Sequence, residues 1–170
     1  GLTDFSLMLR WLREPQVARW YFDEAELSDD DLMEKWRGRA DGDLLVRRFI
    51  ISVDGTDIGQ IQTCKLADEP EYDAEVGVPG AAGVDLLIGE PDYRDRGVGT
   101  QMLGEFLRQI VFTDPEIDVC TIDPEPENTR AIRCYAKVGF RHVRTYHSKV
   151  SGVDVYLMTL RKSDHEQRGA

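Results

Sequence analysis

The chain has 170 residues, 32 of them acidic and 21 basic, which gives a formal net charge of −11. This length suits a single domain over residues 1–170 that buries a core of its own. The charge disfavours nucleic acid and anionic lipid as partners and favours a cationic small molecule, although a surface that is acidic only for solubility explains it equally well. Three scattered cysteines, no metal-binding motif and no apolar run of membrane-spanning length predict a reduced, cytoplasmic protein without a metal.

The first part of the chain has helical periodicity. Thr3 is expected to cap a helix that ends before Pro15, and an aromatic stretch with Trp20 and Tyr21 follows it. Residues 28–31 then place a serine and an aspartate at the spacing of a second helix start. We therefore expect helices to precede the first strand.

A β-hairpin is predicted next. Residues 47–53 and 59–64 have the apolar character of strands, and Asp54-Gly55 between them is a strong hairpin signal. We expect the connecting turn to be longer than these two residues.

Carboxylates are concentrated in the segment that follows. Residues 68–75 are expected to form an acidic loop, since glycine and proline continue the sequence up to Gly83. Three members of this loop are candidates for binding a cation, namely Glu69, Glu71 and Glu75. Residues 84–88 then predict a buried strand that is apolar apart from Asp85. Because an unpaired carboxylate is costly to bury, Asp85 is expected to have a partner or a chemical role.

A loop with two glycines enters a helix after this strand. Gly97 and Gly99 allow the backbone to approach a ligand, and the free N–H groups of a helix start suit a diphosphate. A dinucleotide fingerprint would need a glycine in place of Met102, and a P-loop would need lysine directly after Gly99. The remaining pattern, Arg94-x-x-Gly97-x-Gly99, resembles the acetyl-CoA pyrophosphate loop of the GNAT N-acetyltransferases. An ordinary strand-to-helix turn is the alternative.

A longer stretch strengthens this resemblance. Residues 123–140 resemble the strand end, loop and last helix of the aminoglycoside 6'-N-acetyltransferases, a GNAT family. Asn128 is expected to cap this helix and Gly139 to end it. Two strands over residues 143–150 and 153–160 complete the pattern, and the polar tail from about residue 161 is expected to fray.

The resemblance implies an α/β (α+β) fold of the GNAT type. Such a fold is a mixed, mostly antiparallel sheet flanked by helices, and its fourth and fifth strands splay apart to admit the pantetheine arm of acetyl-CoA. In this sequence those strands correspond to residues 84–88 and 118–122. Helices and strands alternate through the middle of the chain as this fold requires.

The resemblance also implies roles for individual residues. Acetyl transfer needs a deprotonated amine, a polarised carbonyl and a protonated thiolate. Asp85 would bind or deprotonate the amine and Tyr135 would protonate the thiolate; a structural ion pair and plain core packing are the respective alternatives. The residues implied for acetyl-CoA are Leu87, Arg94, Arg96, Gly97, Val98, Gly99, Thr100 and Asn128. The residues implied for the acceptor are Trp20, Tyr21, Glu69, Glu71, Glu75, Asp85, Asp123 and Asp154.

Three functions remain open from the sequence. The first is an acetyl-CoA-dependent aminoglycoside 6'-N-acetyltransferase that confers antibiotic resistance by direct attack in a ternary complex, as a monomer or homodimer. The second is a GNAT enzyme for another amine, such as a lysine-derived siderophore precursor or a polyamine. The third is a module that binds CoA or a cationic ligand without turnover. Ser151 stands where the resembling enzymes can carry aspartate, which leaves the range of accepted drugs open.

Overall fold

The structure, a computed structural model, describes residues 2–21, 26–34 and 45–169. It begins with helix α1 (Leu2–Leu12), the short helix α2 (Pro15–Ala18) and helical residues 29–34, here called α3. Helix α1 begins at Leu2, one residue before the predicted cap Thr3, whose side chain lies outside the described part of the structure. The predicted start of α3 is confirmed, because Ser28 Oγ accepts the N–H of Asp31 at 3.2 Å.

Six strands form one sheet in the order β1-β2-β3-β4-β6-β5. They are listed here with their bounds: β1 (Arg47–Val53), β2 (Thr56–Lys65), β3 (Ala81–Ile88), β4 (Val119–Ile122), β5 (Arg141–His147) and β6 (Asp154–Arg161). The β3–β4 pair is parallel and the other four pairs are antiparallel, as the resemblance implied.

The hairpin between β1 and β2 is tighter than predicted. Val53 pairs with Thr56, so the turn consists of Asp54 and Gly55 alone. Both residues have positive φ, +49° and +79°, which is the geometry of the two-residue turn that matches strand twist. The expectation of a longer turn was therefore wrong.

Strands β3 and β4 part after a short region of pairing. Only Ala81, Ala82 and Gly83 pair with β4, whereas β3 continues beside β2 as far as Ile88. Pro124, two residues beyond the end of β4 at Ile122, has no N–H group and cannot continue a ladder toward β3. The predicted splay is therefore present, between the two strands that the family counts as fourth and fifth.

Four further helices complete the fold: α4 (Pro70–Val76), α5 (Val98–Phe106), α6 (Thr129–Val138) and α7 (Lys162–Gly169). A π-helical turn, Leu107–Val111, continues α5. Two predictions are corrected here. Most of the acidic segment is helical, with Pro70 at a first-turn position that favours a helix start. The tail forms α7, and His165 of this helix packs against Phe112 with 5.6 Å between ring centroids.

Helices cover both faces of the sheet. On one face the core contains Leu103 and Leu107 of the α5 region and Tyr135 of α6. On the other face Trp11 and Leu12 of α1 pack with Leu87. Alternate residues of β3 point to opposite faces. Asp85 and Leu87 therefore share the face that carries α1 and α2. Within the described ranges, none of the helices has the length and apolar character needed to cross a membrane.

Candidate active site

The parted strands open into a cleft of about 560 Å³. Six parts of the chain line it: the region of α2, the end of β3, the glycine loop, the end of β4 with the loop after it, α6 and the turn before β6 with the start of that strand. Of the residues predicted from the sequence, the cleft is lined by Trp20, Tyr21, Asp85, Leu87, Arg94, Gly97, Gly99, Thr100, Asp123, Asn128 and Tyr135. Residues that are far apart in sequence therefore meet at one opening.

The glycine loop presents a helix start to this cleft. Gly97 precedes α5 with a φ of +80°, a left-handed conformation that favours glycine. The first intrahelical hydrogen bond is donated by Gln101 to the carbonyl of Gly97 at 3.0 Å. The N–H groups of Val98, Gly99 and Thr100 consequently have no acceptor within the helix. Together with the positive end of the helix dipole, these three donors suit a diphosphate.

Gly99 leaves room on the side of the loop that faces α6. A Cβ atom at this position would lie 3.5 Å from Cys134 Sγ, an ordinary contact. Packing within the protein therefore does not by itself require glycine at this position. Thr100 Oγ1 lies 3.4 Å from the same sulfur, which places α5 and α6 in direct contact at the cleft.

The two loop arginines lie in different surroundings. The Arg94 side chain is only 5% exposed and pairs with Glu14, with 2.7 Å between Nη2 and Oε2. Arg96 is exposed and does not line the cleft. The enclosed Arg94 guanidinium has little surface left to face the loop amides, whereas the assignment of Arg96 to the phosphates stays a prediction.

Asp85 is held by a tyrosine. Tyr21 Oη donates to Asp85 Oδ1 and Oδ2, at 2.8 and 2.9 Å, and Gln62 Nε2 lies 3.4 Å from Oδ2. Tyr21 belongs to the segment after α2, so the aromatic stretch found in the sequence reaches the carboxylate found in β3. These contacts fix the orientation of the carboxylate while it still lines the cleft.

A second carboxylate lies close to the first. Asp123 Oδ2 accepts a 2.8 Å hydrogen bond from Tyr72 Oη. The pKa of Asp123 is raised to about 6, chiefly because the carboxyl is buried; the Tyr72 hydrogen bond lowers it and the nearby charge of Asp85 raises it. The cleft therefore carries two neighbouring acidic groups, one of which titrates close to neutral pH. Such a pair suits a ligand with more than one positive charge.

Tyr135 and Asn128 belong to α6. Tyr135 is 6% exposed, and its ring lies against Phe140 with 6.3 Å between centroids. Burial raises the pKa of Tyr135 well above its ordinary value, and Asp85 adds to this shift. Its hydroxyl therefore keeps its proton at neutral pH. Asn128 caps the helix as predicted, since its Oδ1 accepts the N–H of Ala131 at 3.2 Å.

The backbone of β3 turns alternately toward and away from the opening. The carbonyl of Ile88 accepts from Arg94 Nε at 2.9 Å and so points away from β2. The carbonyl of Gly83 accepts from Thr63 Oγ1 of β2. Because orientation alternates along an antiparallel pair, the N–H of Leu87 points toward β2. The N–H groups of Leu86 and Ile88 are the ones directed toward the opening.

Four predicted acceptor residues lie outside the cleft lining. Glu69, at the N-cap of α4, and Glu71, in its first turn, are exposed. Glu75 accepts from the N–H of Lys149 at 2.7 Å and from the Ser148 hydroxyl, so it anchors the turn between β5 and β6. Asp154 is exposed and faces His147, with 2.9 Å between Oδ1 and Nδ1. The prediction that these carboxylates face the acceptor is not supported by their positions.

Sequence reasoning missed Tyr72, Gln62 and Glu14. Tyr72 lies inside the acidic segment, and the sequence prediction considered only the carboxylates of that segment. Had this segment been recognised as a helix from its Pro70 start, Tyr72 would have been expected to face the protein. Glu14 precedes Pro15, a common arrangement for an N-cap, and this signal was available in the sequence.

Comparisons with known proteins agree with this geometry. The family described as Acetyltransferase (GNAT) domain matches residues 2–148. An aminoglycoside N(6')-acetyltransferase type 1 from Klebsiella pneumoniae is 29% identical over 167 residues, which cover 97% of this chain and 82% of the relative. A kanamycin resistance protein from Rhizobium radiobacter is 34% identical over 90 residues, which cover 53% of this chain and 82% of the relative.

Solved structures of aminoglycoside acetyltransferases have the same fold as this chain. The aminoglycoside acetyltransferase AAC(6')-Ib in complex with coenzyme A has a TM-score of 0.85 and 26% identity, over 99% of this chain and 95% of that one. Its complex with coenzyme A and kanamycin has the same score. The family match begins at residue 2 and runs through the parted strands, the glycine loop and α6. The chain therefore belongs to the GNAT acetyltransferase family.

Proposed function

We propose that this chain is an acetyl-CoA-dependent aminoglycoside 6'-N-acetyltransferase that confers antibiotic resistance and acts in the cytoplasm. One observation carries the proposal: an anion site at a helix start and a pair of carboxylates, Asp85 and Asp123, line the same cleft. A donor that ends in phosphates and an acceptor that carries ammonium groups have opposite charges, and this cleft has a suitable region for each. The relatives named above include enzymes with this activity and structures that contain coenzyme A and kanamycin.

The residues present suit the donor. The N–H groups of Val98, Gly99 and Thr100 would hold the diphosphate, and the Asn128 side chain, which lines the cleft, would contact the pantetheine arm. The N–H of Leu86 or Ile88, rather than that of Leu87, would stabilise the carbonyl oxygen as negative charge develops on it. When bound, acetyl-CoA supplies the thioester carbonyl that an amine attacks.

The acceptor amine would be bound and oriented by Asp85. Tyr21 holds this carboxylate in place through both of its oxygens, so an ammonium group meets a fixed partner. The amine proton would pass to Asp85 or to water as the C–N bond forms. Tyr135 would donate its hydroxyl proton to the thiolate that leaves when the C–S bond breaks. The raised pKa of Tyr135 keeps that proton available at neutral pH.

Asp123 would receive a second ammonium group of the same acceptor. Since Tyr72 fixes its carboxylate, the two acidic groups define a spacing that an acceptor with two amines can match. Trp20 lines the cleft with the Arg19 guanidinium 4.7 Å from its ring centroid, and it would cover a sugar ring.

A linear polyamine is the second candidate acceptor. One observation favours it: Glu69, Glu71, Glu75 and Asp154 lie outside the cleft lining, so fewer carboxylates than predicted are available for a highly charged drug. A small diamine needs no more than Asp85 and Asp123.

A thiol-release assay with acetyl-CoA tests the proposal. The acceptors are aminoglycosides that have a 6'-amine, matched aminoglycosides that lack it, and spermidine. Release of thiol only with the 6'-amines supports the first candidate, and release with spermidine alone supports the second. Absence of release with every amine, while calorimetry still detects binding of coenzyme A, would leave a binding module.

A further inference from the structure

The guanidinium of Arg94 is enclosed although the residue belongs to the glycine loop. Its Nε donates to the carbonyl of Ile88 at 2.9 Å, and its Nη2 donates to the carbonyl of Gly89 at 2.7 Å. The third nitrogen, Nη1, is buried and has no hydrogen-bond partner among the described residues. With only 5% of the side chain exposed, a diphosphate at the loop amides would find almost no guanidinium surface to contact.

The same guanidinium is tied to the start of α2. Its Nη2 lies 2.7 Å from Glu14 Oε2, and that oxygen also accepts the N–H groups of Gln16 and Val17 at 3.1 and 3.3 Å. Burial raises the pKa of Glu14, but Arg94 and the two N–H groups more than offset this, so its pKa is lowered and the group stays charged. A single carboxylate oxygen therefore joins the end of β3 to the first turn of α2.

This connection matters because α2 is too short to be stable alone. It has four residues, and isolated helices of this length do not form in water. Val17 anchors it in the core, and the ion pair fixes its first turn. The segment that follows carries Trp20 and Tyr21 into the cleft, where Tyr21 holds Asp85. A contiguous set of contacts thus runs from Arg94 through Glu14 and α2 to the acceptor carboxylate.

We propose that Arg94 is a positioning residue for the acceptor side of the cleft, and not a ligand of the cofactor phosphates. It acts through Glu14, which holds α2 and thereby Tyr21 and Asp85. The identity of the acceptor as an aminoglycoside rests on the proposed function.

Calorimetry with two ligands tests this assignment. The dissociation constants of coenzyme A and of kanamycin are measured for the wild-type protein, Arg94→Gln, Glu14→Gln and the double variant. We expect each single change to weaken kanamycin binding about ten-fold and to change coenzyme A binding less than about two-fold. Because both changes break the same contact, the double variant should bind kanamycin no more weakly than the weaker single variant.

A second Arg–Glu pair provides the matched control. Arg108 and Glu105 lie on the exposed side of the α5 region, with 2.6 Å between Nη2 and Oε2, and do not line the cleft. Arg108→Gln removes a guanidinium from a similar pair and should change neither dissociation constant. If circular dichroism shows that Arg94→Gln does not fold, the dissociation constants of Arg94→Lys and Glu14→Gln are compared with those of the wild-type protein instead.

Two results would overturn the assignment. One is weaker coenzyme A binding in Arg94→Gln with normal binding in Glu14→Gln, as expected of a phosphate ligand. The other is an equal loss of both ligands in both variants, as expected of general damage to the fold.

Hydrogen exchange without any ligand separates this inference from the proposed function. The contact set predicts faster exchange in residues 15–21 of Glu14→Gln and Arg94→Gln, with residues 97–101 unchanged. If kanamycin does not bind the wild-type protein, the proposed acceptor is wrong, and the exchange pattern alone decides the role of Arg94. Unchanged exchange in residues 15–21 would then refute it.

Discussion

Tyr72 donates a 2.8 Å hydrogen bond to Asp123 across 51 residues of sequence. Helix α4 brings the tyrosine to the cleft, and β4 ends immediately before the aspartate. Burial and the charge of Asp123 raise the pKa of Tyr72, so its hydroxyl remains a donor. The hydrogen bond in turn limits how far the pKa of Asp123 rises. This pair therefore controls the charge on one wall of the cleft.

Removing the hydroxyl in Tyr72→Phe should raise the pKa of Asp123 further. More of the carboxyl is then neutral, and a cationic acceptor binds more weakly. We expect kcat/KM for the acceptor to fall roughly three- to ten-fold at neutral pH and by more in weakly acidic buffer. Steady-state assays at several pH values measure this, with Tyr156→Phe as the control. A loss that does not depend on pH would contradict the assigned cause.

The titration of Asp123 should also appear in the wild-type protein. Because the carboxyl must be charged to hold an ammonium group, kcat/KM is expected to rise with pH through about 6, the raised pKa of Asp123. Asp123→Asn should lower kcat/KM and remove this inflection, whereas Asp30→Asn, at an exposed site on α3, should retain it. An unchanged inflection in Asp123→Asn would assign the titration to another group.

The effect of Asp123 on stability has the opposite sign. Its pKa in the folded state lies above the ordinary aspartate value of 3.8, so the folded state holds its proton more tightly than the unfolded chain. The stabilisation from this group is present below the unfolded pKa and is lost as the pH rises from about 4 to about 6. Urea unfolding of Asp123→Asn across this window should show a smaller fall in the free energy of unfolding than the wild-type protein.

Tyr135→Phe isolates the role of one hydroxyl. The ring contact with Phe140 is retained, so thermal stability should change little. If the hydroxyl protonates the thiolate, kcat should fall by about 10²-fold with the KM of the acceptor nearly constant. Steady-state kinetics and a thermal melt on the same sample provide the measurement. Equal kcat values in the two proteins would leave Tyr135 as a packing residue.

Asp85→Asn distinguishes proton transfer from binding. The amide preserves the shape of the side chain and removes its charge. A role in proton transfer predicts a fall in kcat on the order of 10²- to 10⁴-fold. An unchanged kcat with a raised KM would instead show that Asp85 only binds the ammonium group and that water takes the proton.

Gly89→Ala tests the contact between α1 and the end of β3. A Cβ atom at this position would lie 2.0 Å from Trp11 Cγ, so the helix must move. We expect a loss of about 1–3 kcal/mol in the free energy of unfolding. Gly104→Ala, inside α5 with no atom within 4 Å of the added Cβ, should instead gain about 0.5–1 kcal/mol. Urea denaturation compares the two, and equal effects would contradict the contact.

The local parts of the site were accessible from the sequence. Periodicity and capping rules use residues that are close together in the sequence. They were sufficient for three features: the helix start at Gly97, the cap at Asn128 and the acidic position in β3. The splay of β3 and β4 came from the family resemblance rather than from these rules. Pro124, which cannot continue a ladder beyond β4, was a local signal of this splay that the prediction did not use.

The errors arose where contacts between distant residues decide the outcome. Tyr72 and Asp123 meet only after α4 packs against the sheet, and Glu14 meets Arg94 only after α2 docks on β3. The tail was expected to fray because it is polar, but it forms α7, and His165 of this helix contacts Phe112. Glu75 was assigned to the acceptor by its charge, although Ser148 and Lys149 bind it.

The turn between β5 and β6 is anchored at its start and lines the cleft at its end. Its first residues are fastened to Glu75, and the N–H of Ser151 donates to Ser148 Oγ at 3.1 Å. The Ser151 and Val153 positions face the cleft. A longer side chain at position 151 would extend into the cleft while the anchor beneath it stays intact. For the proposed acceptor, selectivity can therefore change at this turn without a change in the fold.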